Sequence, residues 1–168
     1  IAFALHLENG EYTSGSYFSY FIWGSTQIKA EYRNAPDGVP VSSNQWFLYS
    51  DDFIGFLKRS KELGDQRTDV TYMERTGVSD MYEVIQWPNK LIGNISTGTM
   101  VWEQDFILYR YAQYYTMPAE LRYHRKDYSG ALTALNTLAQ RAYGKANFYT
   151  DSSAAAVRQA LVDENLKE

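Results

Sequence analysis

Between about Asp105 and Lys145 the chain carries two helical stripes separated by a short polar link, and this pairing constrains the fold more than any other stretch. From Gln104, the residues Phe106, Ile107, Tyr111, Tyr114, Tyr115 and Leu121 recur at helical spacing, with Arg110 and Gln113 between them. After Asp127 a second stripe runs through Ala131, Leu132, Leu135, Leu138, Ala139 and Ala142, and Gly144 supplies a stop. Each segment has one apolar face to bury and the link is short, so the two should pack as an antiparallel pair. The small side chains of Ala131, Ala139 and Ala142 permit close approach. Pro118 lies inside the first segment; a proline there removes a backbone bond at a cost of about 3 kcal/mol, which predicts a kink or break. A third helix is expected through Val157, Leu161 and Leu166, capped by Asp151 or Ser152.

Upstream, the clearest element is a helix from Ser50 to Leu63. Ser50 is placed to cap it, Asp51 and Asp52 favour its positive end, Lys58, Arg59 and Lys61 favour its negative end, and Gly64 stops it. Phe53, Phe56 and Leu57 share a face. The remaining upstream sequence reads as short strands and loops: a strand in Ile1–Leu7, a turn at Glu8-Asn9-Gly10, and loop or short strand from Tyr12 to Trp23. Loop continues from Asn34 through Pro40 to Trp46. Extended segments are expected around Val70–Met73, from Met81 to Trp87 with Pro88 at its end, and at Lys90–Ile95. The reading is one domain of 168 residues, with a loop-rich part at 1–103 and a helical part at 104–168.

Composition narrows the function classes. A net charge of −4, with no Lys/Arg cluster, argues against a nucleic-acid partner. No apolar run reaches the roughly 18 residues of a membrane span. Cysteine is absent, which excludes disulfides, thiolate metal sites and a cysteine nucleophile within this stretch. His6 and His124 are far apart and have no metal-ligand spacing, and no nucleophile-elbow, phosphate-loop or zincin motif occurs. Neither catalysis nor a cofactor is therefore expected, and the adjacent carboxylates Asp51 and Asp52 are explained by helix capping. Aromatic residues make up 16% of the chain, with 15 Tyr and 4 Trp, a content suited to presenting flat faces with polar edges to a ligand. Both ends read as cut, so the chain is expected to be a fragment of a longer protein.

The run Asp105-Phe106-Ile107-Leu108-Tyr109-Arg110-Tyr111-Ala112, followed by Ala119-Glu120, resembles a helix of SusD/RagB-type proteins. Asp127, Ala131-Leu132, Asn136 and Arg141-Ala142 resemble the following helix of that family, and Val157–Glu164 the start of the next. Asp65-Gln66-Arg67 resembles its Asp-x-Arg after a helix, and Phe3-Ala4-Leu5 a preceding strand. Pro118, Gln113 and Asn165 depart from the family pattern, standing where an unbroken helix, an acidic residue and an Arg are usual. The resemblance implies a mainly α fold, with tetratricopeptide-like helical hairpins, irregular loops and a few short strands. It also implies a middle-to-late fragment of a protein lipid-anchored, outside this stretch, to the outer face of a Gram-negative outer membrane. Such a protein captures oligosaccharides, or in some members peptides, and works with a TonB-dependent transporter.

Sugar recognition needs an aromatic face against the pyranose C–H surface and planar polar groups for the hydroxyls. Two loop clusters have this composition: Asn44 and Trp46 with Tyr49, and Tyr17, Tyr20 and Trp23. Trp87 and Trp102 are less suited. Arg110 with Glu120, and Asp65 with Arg67, read as buried or half-buried structural ion pairs. The competing function class is a helical-repeat scaffold for another protein. Ligand capture predicts solvent-facing rings on a loop surface, and a scaffold predicts buried ones.

Overall fold

The computed structural model describes residues 3–5, 19–42, 47–90, 94–96, 98–101 and 106–168. In chain order its elements are β1 (Phe3–Leu5), β2 (Trp23–Gly24), β3 (Val41–Ser42), α1 (Asp51–Glu62), α2 (Thr68–Thr71), β4 (Tyr72–Thr76), β5 (Val84–Pro88), β6 (Asn94–Ser96), β7 (Thr99–Val101), β8 (Phe106–Tyr109), α3 (Gln113–His124), α4 (Tyr128–Tyr143) and α5 (Ala154–Lys167). Short 3-10 turns occupy Ser19–Phe21, Ser25–Gln27 and Ala30–Tyr32. The chain forms two compact units that interleave along the sequence. A helical unit gathers residues 1–4, 57–68 and 107–168, and a loop-rich unit gathers residues 5–56 and 69–106.

In the helical unit, α4 follows its sequence pattern residue for residue. Ala131, Leu132, Leu135, Leu138, Ala139 and Ala142 are buried, the Asp127 carboxylate caps the helix by accepting from Gly130 N, and Gly144 adopts a left-handed φ of 68° at its end. Helix α3 packs on α4, and both pack on α5. The first helix starts later than its apolar period suggests. Phe106–Tyr109 is strand β8, paired with β1, rather than the opening of a helix from Gln104. Four consecutive bulky apolar residues suit a pleated strand as well as a helix, and strand pairing decides between them. Just ahead of the helix, Gln113 Oε1 accepts from Arg110 N at 2.9 Å. Pro118 does not break α3, which continues as one helix to His124.

Helix α5 corrects its expected cap and stripe. Ser153, one residue after the expected cap, accepts from Ala156 N, while Asp151 accepts from Ser153 N. Its buried face runs through Val157, Ala160, Leu161, Glu164 and Lys167, whereas Leu166 is exposed. Two ionisable residues thus occupy the inward stripe, and the end of α1 explains why. Gly64 N donates to Lys61 O and Asp65 N to Ser60 O, the paired bonds of a Schellman ending, with Gly64 at φ 99°. That geometry leads directly into Asp65 and Arg67. Arg67 donates Nε and Nη2 to the Asp65 carboxylate at 2.9 and 2.8 Å, and Nη1 to Glu164 and Glu168 at 2.9 and 2.8 Å. The Tyr149 hydroxyl donates to Glu164 at 2.7 Å, and Lys167 Nζ donates to Tyr143 Oη at 2.6 Å. Asn136 clamps the loop before α5 by exchanging two hydrogen bonds with the Tyr149 backbone, each 2.9 Å. Asp65 and Arg67 are the structural ion pair that the sequence suggests. Arg110 and Glu120 are not: Glu120 is exposed and, among the described residues, pairs with His124 at 3.9 Å.

The loop-rich unit has a small core of Trp23, Ile28, Val39, Val41, Val78, Ile85 and Trp87, with Met73 against it. Strands β4 and β5 form an antiparallel hairpin in register from Tyr72 opposite Pro88 to Thr76 opposite Val84. Strands β2 and β3 pair in parallel, and β6 and β7 antiparallel. The expected strand around Val70–Met73 begins only at Tyr72, after the short turn of helix α2.

Candidate functional site

In the loop-rich unit Tyr20, from one of the aromatic clusters singled out in the sequence, is approached by Phe47, a residue of neither cluster. Phe47 N donates to Tyr20 O at 3.1 Å, and the Phe47 ring touches Tyr20 edge-on at 6.4 Å and Phe21 at 5.6 Å. Tyr49, half-buried, turns its ring edge-on to Phe53 at 4.9 Å, and burial raises its hydroxyl pKa. Tyr20 remains 38% exposed. Tyr17, Asn44 and Trp46 lie outside the described residues. Trp23 is described, and it serves the core. It is 8% exposed, its Nε1 donates to Gln86 O at 2.8 Å, and its ring lies 5.0 Å from that of Tyr82. With both its polar edge and its face engaged by protein, Trp23 supports Tyr82 and has little surface to offer a ligand.

Close to Trp23 in sequence, and unmarked by any motif, is a polar cavity of about 490 Å³. Residues 26–31, Arg33, Asp80 and Met81 line it. Its two walls come from segments about fifty positions apart and are tied by specific bonds. Lys29 N donates to Val78 O at 2.9 Å, Lys29 Nζ to Gly77 O at 3.0 Å, and the Ser79 hydroxyl to Gln27 O at 2.6 Å. The same hydroxyl accepts from Met81 N and Tyr82 N, closing the turn. Lys29 also faces Asp80 at 3.3 Å. The Gln27 amide accepts from Gly24 N at 3.0 Å and donates to Tyr82 Oη at 3.5 Å. Arg33 is anchored by its Nε on Ile28 O at 2.7 Å. The cavity therefore combines carboxylates, an ammonium, a guanidinium and an amide, with the exposed rings of Tyr32 and Tyr82 adjoining its lining residues in sequence.

Sequence reading also missed a cluster of exposed tyrosines in the helical unit. Tyr111, Tyr114 and Tyr115 fit the apolar period of a packed helix, yet Tyr111 is 56% and Tyr114 67% exposed. Their rings stack at 5.8 Å, 7° from parallel, and Tyr115 meets both edge-on. A second, more apolar cavity of about 420 Å³ lies between α3 and α5, bordered by Tyr123, Leu161, Val162 and Leu166. Among the described residues no group of three or more His, Cys, Asp or Glu is arranged to hold a metal ion, and no helix is long and apolar enough to cross a membrane.

No family model and no curated protein sequence matches the chain. Among solved structures it is similar to a SusD superfamily protein from Bacteroides fragilis NCTC 9343, with a TM-score of 0.69 and 20% sequence identity. The match covers 99% of this chain and 37% of that one, so the chain spans little more than a third of its structural relative. The likeness extends over almost the whole chain, which has a mainly α, SusD-like fold.

Proposed function

We propose that this chain is part of a non-catalytic, cell-surface nutrient-binding protein that captures oligosaccharides and passes them to a TonB-dependent outer-membrane transporter. The observation that carries the reading is the SusD-like fold over 99% of the chain. Placement at the outer membrane through a lipid anchor beyond this stretch, and the transporter as partner, come with that reading. The distribution of aromatic rings supports ligand capture over a purely structural scaffold. In the loop-rich unit Tyr20, Tyr32, Phe47 and Tyr82 are all exposed, as a sugar-stacking surface requires. The ligand contacts proposed there are Tyr20 and Tyr49, with Tyr17, Asn44 and Trp46 from the same loops, while Trp23 acts from behind through Tyr82.

The test is binding to a glycan array followed by calorimetry, with the Tyr20→Ala and Trp46→Ala variants alongside. Saturable oligosaccharide binding weakened by either variant supports the reading. Binding only to peptides would move the ligand class, and wild-type affinity in both variants would sink the aromatic assignment. For the partner, affinity purification of the protein from native membranes should retain a large outer-membrane barrel. Its absence would count against transporter handover.

A further inference from the structure

The polar cavity of the loop-rich unit identifies a chemical class of ligand. Four ionisable side chains line it, Lys29 and Arg33 against Glu31 and Asp80, so the formal charge of its lining is zero. An anionic ligand would meet two carboxylates there, and a cationic one would meet an ammonium and a guanidinium. A neutral polyhydroxyl ligand suits the mixture, because each sugar hydroxyl both donates and accepts and can bridge a carboxylate to a cationic donor.

The lining is also prepared in advance. Arg33 spends its Nε on Ile28 O, which fixes the guanidinium plane, and its two terminal nitrogens have no partner among the described residues. Glu31, exposed on the turn Ala30–Tyr32, likewise has no partner among the described residues. Ser79 and Lys29 lock the opposite wall through the bonds to Gln27 O, Gly77 O and Val78 O. Donors held in place by the fold bind without first having to be ordered, which is the usual source of affinity in a small polar site.

Building on the proposed capture of oligosaccharides, we infer that this cavity is a subsite for one neutral sugar residue. The terminal nitrogens of Arg33 donate to one hydroxyl of a vicinal pair, the Glu31 and Asp80 carboxylates accept from others, and Met81 and the neighbouring Tyr82 supply the less polar side. Selection is by balance of charge as much as by attraction. A uronate or sulfated sugar would gain from Lys29 and Arg33 but place its anion beside Glu31 and Asp80, so a lining of zero formal charge gives it no net electrostatic advantage over a neutral sugar.

The experiment uses the full 168-residue chain against immobilised neutral hexose and pentose oligosaccharides, uronate and sulfated oligomers, and a peptide pool, with calorimetry on the best binder. Expected is preference for a neutral oligosaccharide with weak salt dependence, and affinity about tenfold or more lower in Arg33→Ala, the loss of a charged hydrogen-bond partner. Glu31→Ala removes no protein contact among the described residues, so it should weaken binding while leaving the thermal midpoint unchanged. Neutral-glycan binding that is indifferent to both Arg33→Ala and Glu31→Ala overturns the subsite and leaves oligosaccharide capture standing. Preference for uronate or sulfated oligomers also overturns it. Failure of every glycan, with or without peptide binding, overturns the capture of oligosaccharides and the subsite with it.

Discussion

Arg67 Nη1 donates to Glu164 Oε2 at 2.9 Å across 97 positions of sequence, joining the turn after α1 to the buried face of α5. Glu164 is fully buried, and the same guanidinium satisfies both oxygens of Asp65, itself 2% exposed. A buried carboxylate is tolerable only while its partner and hydrogen bonds are in place. The contact is thus a condition for the helical unit to close in this arrangement.

Removing the guanidinium while keeping its bulk should therefore be costly. Arg67→Met leaves Asp65 and Glu164 buried without their main cation, and the expected loss is about 3–5 kcal/mol in urea denaturation. Arg67→Lys retains the charge but not the planar fork that serves three carboxylates, so an intermediate loss is expected. Equal stability of Arg67→Met and the wild type would show that the network carries no stabilising role.

The same cluster sets a pH window. Burial pushes the Asp65 carboxyl up, but the Arg67 hydrogen bonds and charge together outweigh it and hold the carboxyl below its ordinary value of 3.8. A depressed carboxylate contributes stability that is complete above the unfolded value and is lost as pH falls through the folded one. At the alkaline end, Tyr143 and Tyr149 are raised well above the ordinary 10.0, first by burial and then by the charges of Asp65 and Glu164 on Tyr143, and of Glu164 on Tyr149. A raised tyrosine favours the neutral form in the fold, so stability should decline as pH rises above about 10. Urea midpoints measured from pH 2.5 to 11 should show a plateau between these limits. Asp65→Asn should flatten the acid limb, and Tyr149→Phe the alkaline one.

Trp23 and Tyr20 should separate on mutation although only two residues lie between them. Trp23→Ala empties part of the loop-rich core and removes the bond to Gln86 O, so a loss of about 3–5 kcal/mol is expected. Tyr20→Ala, at an exposed edge, should stay within about 1 kcal/mol of the wild type while weakening glycan binding. Thermal melts read alongside the glycan titration distinguish the two. Matching destabilisation in both variants would place Tyr20 in the core as well.

What could be read from the sequence was local, and what escaped it was not. Helix α4 has a regular apolar period and a Gly stop, each acting within a few residues, and both hold. The α1 ending could be read for the same reason. Phe106–Tyr109 escaped because its helical period and its strand character are equally good until β1 pairs with it. Leu166 fits a core stripe by spacing, but Arg67 draws Glu164 inward from a turn almost a hundred positions away, and Lys167 follows through its bonds to Tyr143 Oη and Glu164. The polar cavity has the same origin: its walls meet through Lys29 with Gly77 and Ser79 with Gln27, pairs that leave no spacing signature. Tyr111 and Tyr114 fit a buried stripe by period, and only the packing of α3 on α4 and α5 leaves them outside it.

One glycine ties the cavity wall to the backbone that carries it. Gly38 sits in a loop closed by Val39 N donating to Tyr32 O at 2.8 Å and Asn34 N donating to Val39 O at 3.0 Å, with Asn34 at a left-handed φ of 48°. A Cβ at position 38 would fall on the Tyr32 carbonyl oxygen, a backbone atom that cannot swing aside as a side-chain tip can. Gly38→Ala should therefore displace residues 32–34 and cost about 1–3 kcal/mol through overpacking. Because Arg33 belongs to that segment and lines the cavity, glycan affinity should fall by more than the stability loss explains. Titration well below the melting temperature isolates the effect. Full wild-type affinity in a folded Gly38→Ala protein would show that the placement of Arg33 does not govern binding.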